Sequence, residues 1–138
     1  MDVGPNIGAL NQTVMFSSDY FIVPMCADLF SYLALDSLAR ALDNWSKDWN
    51  QALIKATNIY SQQRSLPAGR PQFWGYFITQ FGRYRGQMAK AFKTWHNRIQ
   101  NDINKILIKP LSQIGLTPSN ANFHLGNIPN YASLVPTA

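Results

Sequence analysis

At 138 residues, with 46% hydrophobic side chains, the chain is long enough for one domain with a sizeable core. It has no apolar run near the roughly 18 residues of a membrane span and no basic-then-apolar leader, so a cytoplasmic protein is expected. Twelve Lys and Arg stand against seven acidic residues, all of them Asp, giving a net charge of +5. An excess of this kind attracts polyanions, nucleic acid or an acidic membrane surface. The one cysteine, Cys26, excludes an internal disulfide and has no spaced Cys or His partners for a metal.

In chain order, Asp2 opens a Gly/Pro turn, and Ile7, Leu10 and Val14 recur at helical spacing. Tyr20 to Val23 is a short apolar run stopped by Pro24, which predicts a strand covered on both faces within a parallel sheet. Ligands in such sheets sit beyond the carboxyl ends of the strands, where Asp2 and residues 24–28 would lie. Cys26 then reads as a small residue in the loop after the strand. Leu29 to about Tyr60 reads as helix, with Leu35, Leu38, Leu42, Trp45, Trp49 and Leu53 on one face and a break expected near Asn44 to Asn50. Both tryptophans continue a leucine stripe and read as core or subunit interface rather than as a base-stacking pair.

Gln62 to Gln72 reads as a mobile loop, and Phe73 to Phe81 as a second strand. Gly82-Arg83-Tyr84-Arg85-Gly86 reads as a flexible cationic loop with an aromatic platform, suited to phosphate contact. A helix is predicted from Gln87 to about Ile108, with Met88, Phe92, Trp95, Ile99, Ile103 and Ile106 buried and Lys90, Lys93, Asn97, Arg98 and Lys105 on other faces. Asp102 alone opposes these cations. Pro110 is expected to end the helix, with a short turn from Leu111 to Leu116 closed by Gly115. Pro118 to Pro129 reads as irregular. His96 and His124 lie far apart, without metal-ligand spacing, and read as structural.

Three groups of residues carry a family resemblance. Asp2-Val-Gly-Pro-Asn-Ile-Gly-Ala-Leu-Asn resembles the Asp-x-x-Pro-(Ser/Asn)-x-Gly-x-Leu segment that ends the Walker B strand in ParA/Soj/MinD-type partitioning ATPases. Ser17-Ser18-Asp19, Phe21 to Pro24 and Asp28 to Ser31 are similar to the next strand and loop of that family. Gly75 to Ile78, Arg85-Gly86, Lys90 to Trp95 and Ile128 to Ala138 resemble later parts of it, more loosely. The Gly-x-x-x-x-Gly-Lys-(Ser/Thr) phosphate loop occurs nowhere in the sequence.

The resemblance implies an α/β fold: a partial parallel sheet flanked by long helices, an incomplete P-loop NTPase-like (ParA-like) arrangement. Residues 1–138 would be one domain, the C-terminal portion of a longer ATPase, with 117–138 mostly irregular. In the intact parent, which would bind ATP and Mg, Asp2 would hold Mg through water. Asn6 to Gly8 would follow the γ-phosphate, and Thr79, Gln80 and Pro24 would touch the nucleotide base. Arg83, Arg85, Lys90, Lys93, Arg98 and Lys105 would contact DNA nonspecifically. A homodimer and a ParB-like partner are further implications. The chain alone is expected neither to bind ATP tightly nor to hydrolyse it. Two alternatives stand beside this: an inactive interaction or dimerisation module, and a MinD-like membrane-surface regulator. The second expects a basic amphipathic tail, which Asn120 to Ala138 does not resemble.

Overall fold

A computed structural model describes residues 8–59, 66–81, 83–84, 87–119 and 122–129. The elements are α1 (Ala9–Phe16), β1 (Tyr20–Cys26), α2 (Leu29–Ile59), β2 (Gln72–Phe81), β3 (Arg83–Tyr84), β4 (Gln87–Met88), α3 (Lys90–Ile103), a π-helical turn (Asn104–Ile108), α4 (Lys109–Gln113) and β5 (His124–Pro129). The fold is α/β. Strands β1, β2 and β5 form a parallel sheet in the order β1-β2-β5, and β3 pairs with β4 as a small antiparallel ribbon.

Strand order and chain order run the same way, so right-handed crossovers place both helical connections on one face. In agreement, α2 packs against α3, the π turn and α4. The core lies between this helical layer and the sheet, where Leu35, Leu42, Phe73, Ile78, Ile99, Leu107 and Leu111 are at most 1% exposed. On the other face Tyr20, Ile22, Trp74, Leu125 and Ile128 remain 48–59% exposed, and Tyr20 and Trp74 meet with ring centroids 5.1 Å apart.

The expectation of a strand buried on both faces is therefore corrected. Inward residues of β1 alternate with exposed ones, and an apolar run cannot by itself distinguish one covered face from two. Nor does Pro24 stop the strand. It pairs in register with Phe77, and among the described residues β1 is the outer strand of this sheet, where a missing N–H is tolerated. Cys26 closes the strand rather than the loop. At Gly75, φ is 149° and a Cβ would stand 2.5 Å from the Phe123 carbonyl oxygen, so the approach of β5 to β2 requires glycine here.

Helix α2 starts where Asp28 Oδ1 accepts the Ser31 N–H at 2.7 Å. It runs unbroken to Ile59, without the expected interruption. The stretch from Asn44 to Asn50 holds neither Pro nor Gly, and Trp45 and Trp49 carry the packed stripe through it. Part of the loop expected to be mobile is packed: Trp49 Nε1–H donates to the Pro67 carbonyl at 3.0 Å, and Gly69 and Pro71 are buried. Residues 62–65 of that loop lie outside the described residues.

Three further expectations change in the second half. Arg83-Tyr84 pairs with Gln87-Met88, so a hairpin ribbon replaces both the loop and the first turn of the predicted helix. Gly82, Arg85 and Gly86 lie outside the described residues. Pro110 does not end the helical segment, which continues to Gln113, because Pro110 falls in the first turn of α4, directly after the π turn. The buried stripe is His96, Ile99, Ile103, Leu107 and Leu111, and Phe92, Trp95 and Ile106 flank it. Steps of four drift forward on an α-helix, and the wider π turn takes up that drift so that Leu107 and Leu111 still face the sheet. Finally, His124 to Pro129 forms strand β5 inside the segment expected to be irregular.

Candidate functional site

Two regions hold the residues singled out from the sequence. The first is the carboxyl end of the sheet. Cys26 and Thr79 are register partners at the ends of β1 and β2, with Sγ and Oγ1 3.9 Å apart. The Thr79 hydroxyl donates to the Met25 carbonyl at 3.3 Å, and the Cys26 N–H donates to Ser31 Oγ at 3.0 Å. Strand, loop and helix N-terminus are thus tied together by short polar side chains.

Pro24 lies two residues farther back, on the exposed face, so the structure separates it from Thr79. Gln80 lies in β2 next to Thr79. Asp2 and Asn6 lie outside the described residues. The sequence has no phosphate loop, the Thr79 hydroxyl is engaged by the Met25 carbonyl, and among the described residues no three of His, Cys, Asp and Glu gather as metal ligands.

The second region is the outer side of α3 and its continuation. Its inward residues are apolar or engaged with β5, which leaves the cations on the opposite side. Lys90, Lys93, Arg98, Lys105 and Lys109 are all exposed. They span about 28 Å of helix, at about 1.5 Å per residue. Among the described residues the ion pairs, Arg40–Asp36 and Lys47–Asp43, are both on α2, so none neutralises this row. Beyond it, Lys109, Ser112, Thr117 and Ser119 line an open cleft of about 390 Å³. Arg83 stands on β3 ahead of the row, and Arg85 is outside the described residues.

Arg98 is held differently from the lysines. Its guanidinium lies 5.2 Å from the Tyr32 ring centroid and 5.6 Å from that of Trp95. The Tyr32 hydroxyl donates to Asp102 Oδ2 at 2.7 Å. That hydrogen bond, with partial desolvation and the carboxylate charge behind it, raises the Tyr32 pKa above its ordinary 10.0. The cluster takes Asp102, the acidic residue of α3, away from the lysines and gives the basic row a pre-oriented arginine with two aromatic faces.

One assembly escaped the sequence reading. His96 and His124, distant in the chain, are brought together through Asn127, and Gln100 reaches the second imidazole. The pairing of β5 with β2 creates it, so it was hidden once residues 118–129 were read as irregular.

No protein-family model matches the chain, and no curated protein matches it. Among solved structures, the crystal structure of protein DIP2308 from Corynebacterium diphtheriae is similar, with a TM-score of 0.63 and 24% identity over 94% of this chain. The chain spans 43% of that protein's length. The likeness shows a shared fold.

Proposed function

We propose that this chain is the C-terminal portion of a ParA-type partitioning ATPase of P-loop NTPase-like fold, and that its own work is nonspecific contact with DNA. The observation that carries the reading is the exposed, un-neutralised cationic row along α3, with Lys90, Lys93, Arg98 and Lys105 on one outer surface. Lysines in such a row bind phosphates as point charges, and the arginine, already seated on aromatic rings, offers a planar fork. Such contacts set affinity without reading sequence. ATP, Mg, a homodimer and a ParB-like partner belong to the intact parent in this reading.

The test is fluorescence anisotropy with a labelled duplex across a salt series. Binding should weaken with salt, each phosphate contact adding about 0.9 to the slope of the logarithmic plot. Lys90→Glu, Lys93→Glu and Lys105→Glu together should flatten that slope by about 2 or 3 and lower affinity at least about tenfold at low salt. No binding at low salt, or binding indifferent to these changes, overturns the assignment.

A specific observation favours the interaction-module reading as well. The exposed apolar side of the sheet lies next to β1, the outer strand of the sheet among the described residues, a combination that templates association. In this reading two copies associate through that face and edge.

A further inference from the structure

His96 on α3 and His124 on β5 both aim Nε2 at one oxygen, Asn127 Oδ1, at 3.0 and 3.2 Å. The rings stand edge to face with centroids 6.1 Å apart, and His124 lies against the Tyr76 ring at 5.3 Å. Gln100 Nε2 is 3.2 Å from His124 Nδ1. His96 is 9% exposed, while His124 is partly open to solvent.

We propose that His96, His124 and Asn127 form a binding site for a divalent transition metal of the zinc, nickel or copper type. Ligand atoms about 2.0–2.1 Å from one ion lie about 2.9–3.4 Å from each other, and both nitrogen–oxygen separations fall in that range. The two imidazoles come from a helix and a strand with no covalent constraint between them, and both direct Nε2 to one point.

A metal-bound imidazole coordinates through an unprotonated nitrogen, so in the loaded site each Nε2 carries the ion and the ring proton sits on Nδ1. At His124 the new Nδ1–H meets Gln100, whose side-chain oxygen accepts it once the amide turns over, the usual outer support of a metal-bound histidine. Asn127 supplies the third protein ligand through its oxygen, and water completes the shell. With neither carboxylate nor thiolate among these ligands, imidazole-preferring metals are favoured and Mg²⁺ and Ca²⁺ are rejected.

The test is titration of the full chain with zinc chloride and nickel chloride by calorimetry, with magnesium chloride as control, followed by long-range proton–nitrogen spectra of the imidazoles. One equivalent should bind, both histidine ring systems should shift together, and magnesium should do nothing. His124→Ala should weaken binding about tenfold or more, and Asn127→Asp should tighten it by supplying a charged oxygen. Absence of saturable zinc and nickel binding up to millimolar metal, or binding unchanged by His124→Ala, overturns the proposal. His96 is buried and its removal can unfold the protein, so the partly exposed His124 and the spectra of the unaltered chain carry the test. Neither residue belongs to the cationic row, so this result is independent of the DNA measurement.

Discussion

Gly69 has φ +67°, and the ring of Trp49 occupies the place where a Cβ would point. Gly69→Ala would both strain the backbone and push the indole off its hydrogen bond to Pro67, so a loss of more than about 1 kcal/mol is expected in urea unfolding. Trp49→Phe keeps the ring packing but loses the donor, and should cost about 1 kcal/mol. Tyr76 illustrates a different residue-level effect. It is 3% exposed, and burial raises its phenol above the ordinary 10.0 because the charged form loses its water. The folded state therefore holds the proton more tightly than the unfolded chain. This contribution is fully present below about pH 10 and is lost as pH rises through the folded value. A melting temperature flat between pH 7 and 9 should fall above pH 10, and Tyr76→Phe should remove part of that fall.

At the scale of elements, the register of the α2 stripe was readable because leucines and tryptophans at steps of three and four leave one solution for a long helix. Strand β2 was readable from its aromatic and β-branched run. What was not readable has particular causes. His-Leu-Gly-Asn-Ile-Pro carries Gly, Asn and Pro, the composition of a loop, and becomes a strand because β2 supplies a parallel partner and Gly75 lets it approach. Pro110 signalled an end to the helix, but the π turn directly before it changes the backbone pairing there and the helical segment runs on to Gln113. The row of cations was legible as charge, whereas the seating of Arg98 on Tyr32 and Trp95 needed two helices to meet. Leu107 lies within the π turn and is fully buried, so Leu107→Ala should lower stability by about 2–5 kcal/mol in urea unfolding, as a core leucine does, whereas Lys105→Ala beside it should stay within about 0.5 kcal/mol of the parent.

For the molecule as a whole, a sheet wound in a single direction is roofed by helices on one side only, and a second roof requires winding in the opposite sense or another molecule. No helix among the described residues is long and apolar enough to cross a membrane. In the interaction-module reading, where two copies meet through this bare side, folding and self-association become one coupled equilibrium. Heating should then melt dilute samples first, with the midpoint climbing as concentration is raised, and Ile22→Ser with Trp74→Ser should abolish the climb by removing what the second copy grips.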